Sequence, residues 1–257
     1  MCCFSARIDR VSKTRIFARV EGNLQTLVYS MDLNTPQDLA MILPIPIQPG
    51  THKIEFIDLS YAADFFEQIE ALFPKPPEPR TRSLGYDLSE SEVLEVEKVG
   101  AYDASFVPSA QDMDRLDRRF AITKDIWDAV PEYVDFGFAV FKLSKGDAER
   151  HPMGFRFPTR HPTRLFFPTV HVHDGTLPKQ EDFDHTLYAQ PEKNLIVVGR
   201  WTESKPADER MVLGLKRTIT EGRIAKKVVE GVRENKDIYA DLISNTGWLP
   251  SLLRTLN

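Results

Sequence analysis

The histidines of this chain are concentrated in one short stretch. Five of the six lie within residues 151–185, and His171 and His173 stand two residues apart in the segment 165–175. Residues two apart in an extended strand project from the same face. The sequence therefore predicts a strand that presents two imidazoles side by side. Its predicted inner face is Phe166, Val170 and Val172, and its outer face is Thr169, His171 and His173.

A third histidine, His185, follows this segment and could complete a set of three metal ligands. Three histidines leave an open coordination position, as in catalytic zinc sites, and the same donors also suit copper. Asp174 and Asp184 are natural acceptors for the second ring nitrogen of such ligands. The pattern predicts a metal-binding protein, with a zinc or copper enzyme as its extension. The alternative is that these histidines are ordinary polar strand or turn residues.

The two cysteines, Cys2 and Cys3, stand at the start of the chain. After removal of Met1, Cys2 would carry a free α-amine, which can act as the base for its own thiol. This arrangement is that of an N-terminal-nucleophile amidohydrolase, and it makes Cys2 the candidate catalytic residue. Cys2 and Cys3 are equally candidate ligands beside the histidines, because thiolates favour zinc and copper. A third interpretation is that both are small apolar residues that pack on a sheet.

Composition excludes several classes of function. The 257 residues are 42% hydrophobic and 28% charged with a formal net charge of −5, which is unlike the basic surface of a general nucleic-acid binder. No apolar run reaches the length of a membrane-spanning helix and no leader precedes the chain, so we expect a cytoplasmic protein.

Hydrophobic periodicity favours a β-rich body. Residues 15–20 and 24–31 are predicted strands joined by the tight turn Gly22-Asn23, and residues 136–143 are a predicted central strand. Phe65, Phe66 and Ile69 follow a helical spacing. Residues 74–82 carry four prolines and four charges, which is typical of an extended loop.

The C-terminal part changes in character. Ile224, Val228 and Val232 recur every four residues among charged neighbours, which predicts an amphipathic helix. We therefore predict an α+β protein: a mainly antiparallel sheet or sandwich with short helices and a C-terminal helical segment. Residues 1–201 would form the β-rich domain and residues 202–257 the helical segment packed on it.

Three runs of residues resemble an uncharacterised bacterial protein family: Cys2–Ser5, the Leu-Pro-x-Pro segment Leu43–Pro46 and the Val-Gly-x-Tyr segment Val99–Asp103. Secreted members of that family begin their mature chains near a cysteine-containing Gly-Phe run. The resemblance extends to about residue 145 and implies an architecture and a shared N-terminal cysteine rather than an activity. This chain departs from those members in lacking a leader and a membrane tail.

Three functions therefore compete. The first is metal binding through His171, His173 and His185, completed by Cys2 or Cys3. The second is an N-terminal-nucleophile hydrolase that uses Cys2 on a small-molecule or peptide substrate. The third is a non-catalytic interaction protein, whose C-terminal helix binds a partner or a second copy of the chain.

Overall fold

The computed structural model describes residues 3–74, 97–117, 120–122, 124–146, 151–172, 175–215 and 218–245. Within these ranges the chain folds into three β-sheets joined by short helical turns. The predicted proline-rich loop lies outside the described residues apart from Pro74.

The largest sheet has seven strands. Their spatial order is β13 (Thr202–Glu203), β14 (Ala225–Glu234), β11 (Gln180–Gln190), β2 (Arg10–Glu21), β3 (Leu24–Asn34), β9 (Met153–Pro158) and β5 (Glu55–Ile57). The predicted hairpin at Gly22-Asn23 is confirmed, since Glu21 pairs with Leu24 and Gly22 has a φ of 59°. Every neighbouring pair is antiparallel except β2 and β11, which run parallel.

Two smaller sheets complete the fold. The five-stranded sheet has the order β1 (Cys3–Phe4), β4 (Leu39–Ile45), β8 (Gly137–Leu143), β7 (Tyr102–Val107) and β6 (Glu97–Val99). Its strand β8 lies between β4 and β7, which confirms the predicted central strand. The three-stranded sheet has the order β10 (Arg164–Phe167), β15 (Ile238–Ser244) and β12 (Leu195–Val197).

One large apolar core joins all three sheets. Phe141 of β8 packs edge-on against Phe56 of β5 at 5.5 Å between ring centroids, and Phe166 of β10 belongs to the same cluster. Removal of these apolar side chains from water is the main contribution to the stability of the fold.

The helices are short. They are α1 (Phe65–Glu70), α2 (Lys124–Asp128) and α3 (Glu209–Gly214), with 3₁₀ turns at Ser60–Ala62, Ala110–Arg115 and Pro131–Asp135. Phe65, Phe66 and Ile69 are buried, as the helical spacing predicts, and α1 covers one end of the large sheet beside Phe17 and Tyr188.

The predicted C-terminal helix is wrong. Ala225–Glu234 is strand β14 and Ile238–Ser244 is strand β15, so the described part of the C-terminal segment is mainly β and the chain is not the predicted α+β protein. A spacing of four residues is shared by one face of a helix and one face of a strand, because four is twice the strand period of two. The β-branched Val228, Val229 and Val232 favour the strand.

The predicted histidine strand is also wrong in its extent. Strand β10 ends at Phe167, and residues 168–171 have no strand neighbour in the described parts of the chain, while Val172 makes one isolated parallel bridge to Cys3. The two predicted faces do not exist, since Thr169 and His171 are as buried as Val170 and Val172.

Candidate functional site

The segment 168–172 is held by side chains of the turn between β14 and β15 rather than by a strand. Asn235 Oδ1 accepts the N–H of His171 at 2.7 Å, and Asn235 Nδ2 donates to the carbonyl oxygens of His171 and Pro178, both at 2.8 Å. One carboxamide therefore satisfies both backbone groups of His171, as a neighbouring strand would.

Asp237 holds the residues just before His171. Its Oδ1 accepts the N–H groups of Thr169 at 2.7 Å and Val170 at 3.1 Å, and its Oδ2 accepts the hydroxyl of Tyr133 at 2.7 Å. Burial raises the pKa of Asp237 to about 6, while the three donated hydrogen bonds act in the opposite direction. Burial and the nearby Asp237 raise the pKa of Tyr133 well above its ordinary value.

His171 and His185 lie together in the core beside Phe183. The two imidazole rings are stacked, with centroids 5.4 Å apart and an interplanar angle of 22°, and Phe183 lies 4.6 Å from His171 and 5.0 Å from His185. Both histidine side chains are 0% exposed. Burial lowers the pKa of His185 to about 2, so its imidazole is neutral at physiological pH.

The structure brings His171 and His185 together, but the described residues around them do not form a metal centre. In the parts of the chain that the structure describes, no group of three His, Cys, Asp or Glu side chains is placed to hold a metal ion. Metal binding is thus a wrong prediction for the described residues, while the choice of zinc or copper and the ligand sets that include His173 or Cys2 stay predictions. His173, Asp174 and Cys2 lie outside the described residues.

Asp184, a predicted support for a metal ligand, lies with its Oδ1 4.0 Å from Nδ1 of His185, and it also holds the start of β2. Its Oδ2 accepts the backbone N–H of Lys13 at 2.6 Å, where β2 has an irregular register between Ser12 and Arg15. Lys13 has a φ of 52°, a left-handed conformation that is uncommon outside glycine. Asp184 therefore fixes the bulge from which β2 enters its parallel pairing with β11 at His185 and Thr14.

The first described residues, Cys3 and Phe4, lie beside this cluster. Cys3 is buried, pairs with Ile42 of β4 and bridges Val172, and the N–H of Phe4 donates to the carbonyl of Val172 at 3.3 Å. The first described residues therefore lie next to the residue that follows His171. The role of Cys2 as a nucleophile stays a prediction.

The outer edge of β14 was not predicted from the sequence. Strand β13 pairs only with Lys226 and Ala225, so from Lys227 to Glu234 β14 has one described strand neighbour, β11. Val228 and Val232 lie on the same face of the sheet as Tyr188, against which α1 packs, but they are 52% and 71% exposed. The adjacent valines and the Asn-Lys-Asp turn that follows them were the available signals for a strand here.

The backbone direction of this edge follows from its hydrogen bonds. On the outer side, the carbonyl of Ile224 accepts Ser204 N–H at 2.9 Å and the carbonyl of Glu230 accepts Arg233 Nε at 3.0 Å. Alternate residues of an antiparallel strand direct their backbone groups to opposite sides, and the register with β11 is continuous. The N–H and C=O of Val228 therefore also point outward, away from β11.

None of the described helices is long and apolar enough to cross a membrane. No protein-family model matches the chain, and no curated protein matches it either. The resemblance to a bacterial family therefore stays a prediction.

Solved structures similar to this chain include two of baculovirus P35. The crystal structure of baculovirus P35 has 15% sequence identity and a TM-score of 0.48, with 95% of this chain and 100% of that chain covered. The crystal structure of the caspase-8/P35 complex has 12% identity and a TM-score of 0.45, with 91% of this chain and 97% of that chain covered. These identities are too low to give any residue of this chain a role.

Proposed function

We propose that this protein is a non-catalytic interaction protein that binds an extended segment of another protein along the outer edge of β14. The observation that carries the proposal is the outward-facing backbone of Val228 on a strand whose outer neighbour, among the described residues, ends at Lys226. An added strand would pair with these backbone groups, which is a common mode of peptide recognition.

The exposed valines add an apolar contribution to such pairing. Val228 and Val232 lie on one face of β14, opposite Thr186 and Asp182 of β11. A strand laid beside β14 would cover part of each valine, and each would contribute on the order of 1 kcal/mol. Main-chain hydrogen bonds supply affinity in this mode, and the side-chain positions supply specificity.

The partner surface is therefore a strand rather than the C-terminal helix first expected. Removing everything after Trp201 would delete β14 and β15, which pair with β11, β10 and β12. Such a truncation would disrupt two sheets, so it cannot separate binding from folding.

A point substitution can make that separation. Proline at position 228 removes an N–H that points away from β11, and proline is tolerated on edge strands whose N–H faces solvent. We expect ten-residue peptides selected from a random phage-displayed library on the intact protein to lose about ten-fold or more in affinity for Val228→Pro, because the added strand loses main-chain bonds.

The matched control is Val228→Thr, which keeps the N–H and a β-branched side chain. It should bind the selected peptides within about three-fold of the original chain. A selection that enriches no peptide, or peptides that bind Val228→Pro as well as the original chain, would overturn the proposal.

A further inference from the structure

We infer that the segment recognised by β14 carries a lysine or arginine flanked, two residues away on each side, by apolar residues. The inference rests on the proposed strand addition at β14 and states the chemistry of its occupant. It comes from the side chains that an added strand would meet on the exposed face.

The exposed face alternates apolar and acidic side chains. Glu230 lies between Val228 and Val232, and the register places Asp184 of β11 opposite Glu230 and Asp182 opposite Val232. Glu230, Asp184 and Asp182 are all exposed. An added strand would therefore set one residue beside Glu230, with two carboxylates of the next strand behind it.

Three lysines near this face are directed elsewhere in the described chain, and the guanidinium of Arg233 binds the backbone carbonyl of Glu230 rather than a carboxylate of this face. The ammonium of Lys13 pairs with Asp32 at 2.8 Å, and that of Lys236 pairs with Glu234 at 2.6 Å. Lys226 pairs with Glu70 and lies over the ring of Phe73. The three carboxylates of this face thus favour a cation supplied by the occupant, since opposite charges directly across a strand pair are stabilising.

A second copy of the chain fits this edge less well. An antiparallel pairing of two β14 edges that sets Val228 opposite Val232 also sets Glu230 opposite Glu230. Like charges directly opposite each other are destabilising. The same face that disfavours self-pairing favours a strand with a basic residue at the centre.

Arg233 covers part of the edge in the chain alone. Its Nε donates to the outward carbonyl of Glu230, and its side chain is exposed. An N–H of the added strand would replace this donor, so the carbonyl keeps a hydrogen bond in both states.

Two synthetic peptides test the inference. Each is a capped seven-residue peptide with valine at positions 2 and 6 and threonine at positions 1, 3, 5 and 7. Position 4 is lysine in one peptide and glutamate in the other. Fluorescence anisotropy with the intact protein should show about five-fold tighter binding of the lysine peptide, because a central opposite-charge pair replaces a like-charge pair. The preference should shrink in high salt.

The variant Glu230→Lys reverses the charge at the centre of the face and should reverse or abolish the preference, while Val228→Pro should weaken both peptides. Equal affinity of the two peptides, absence of binding by both, or an unchanged preference in Glu230→Lys would overturn the inference. If both peptides bind equally and Val228→Pro abolishes both, the edge still binds strands and only the charge rule fails. If the protein forms a dimer that the Val228→Pro substitution dissociates, the occupant of the β14 edge is a second copy of the chain and the inference is overturned.

Discussion

The side chain of Gln25 pairs with both backbone groups of Phe166. Gln25 Nε2 donates to the Phe166 carbonyl at 2.8 Å, and Gln25 Oε1 accepts the Phe166 N–H at 3.2 Å. Gln190 does the same for Thr220, and Asn235 for His171. Carboxamides thus complete the backbone hydrogen bonding where the sheets are interrupted.

Loss of the Asn235 carboxamide should destabilise the protein. Asn235→Ala leaves the N–H and C=O of the buried His171 without this partner, and a buried unsatisfied group costs about 1–3 kcal/mol. We expect the free energy of unfolding, measured by urea denaturation, to fall by about 2–4 kcal/mol. Lys236→Ala, in the same turn but with an exposed side chain, is the control and should change it by under about 0.5 kcal/mol. Equal effects of the two variants would contradict this role.

The pH dependence of stability should report His185 and Asp237 with opposite signs. The pKa of His185 is about 2 in the folded chain against an ordinary 6.5. Between these values only the unfolded chain binds this proton, so the free energy of unfolding falls as the pH falls, by up to about 1.4 kcal/mol per pH unit. The pKa of Asp237 is about 6 against 3.8, so between these values only the folded chain holds that proton and stability rises as pH falls.

The two contributions oppose each other between pH 6 and about 4. In urea titrations across this range, Asp237→Asn should lose stability more steeply on acidification than the original chain, because the opposing proton uptake is gone. His185→Gln should lose stability less steeply. Parallel pH profiles for all three proteins would show that neither group titrates in this way.

Gly100 should tolerate no side chain. It has a φ of 62° in the turn between β6 and β7, and a Cβ there would clash with His151 Nε2. That ring is fixed, since Nε2 accepts the N–H of Ala101 at 2.9 Å and Nδ1 lies 2.9 Å from the Pro152 carbonyl. Gly100→Ala should therefore lower the free energy of unfolding by more than about 2 kcal/mol.

Gly50→Ala is the matched control for Gly100. Gly50 also has a positive φ, of 80°, but nothing lies within 4 Å of the added Cβ. It should show only the conformational cost of about 1–2 kcal/mol. If Gly50→Ala is as destabilising as Gly100→Ala, the close approach of His151 is not the cause.

Neighbouring proline substitutions should separate the two sides of β14. Proline at 228 removes an outward N–H, whereas proline at 229 removes an N–H directed at β11 and replaces a buried side chain. We expect Val229→Pro to cost about 3 kcal/mol or more and Val228→Pro clearly less, in thermal or urea unfolding. If Val228→Pro were the more destabilising of the two, the backbone groups that point away from β11 would belong to the odd-numbered residues of β14.

Local patterns predicted much of this fold, and longer-range relations did not. The Gly22-Asn23 hairpin, the central strand β8 and the apolar face of α1 follow from residue type and period alone. The spacing of Ile224, Val228 and Val232 suits a helix and a strand equally, and only pairing with β11 decides between them. The pairing of Asn235 with His171 joins residues 64 apart, which no local pattern encodes.

The candidate site shows the same division. His171 and His185 do meet, but the two-residue spacing says nothing of whether a face points to water or into the core. In the structure both imidazoles are buried beside Phe183. This burial depends on the packing of strands that are far apart in the sequence. In the described chain, the edge of β14 beyond Lys226 lacks an outer strand because β13 is only two residues long.

The parallel pairing of β2 with β11 has a consequence for how this protein forms in the cell. Lys13 and Asp184, at the start of that pairing, are 171 residues apart. On a ribosome, roughly ten to thirty seconds of synthesis separate their appearance. During that interval the β2–β3 hairpin exposes the side of β2 that β11 later occupies. Closure of this long loop should therefore limit the rate of folding.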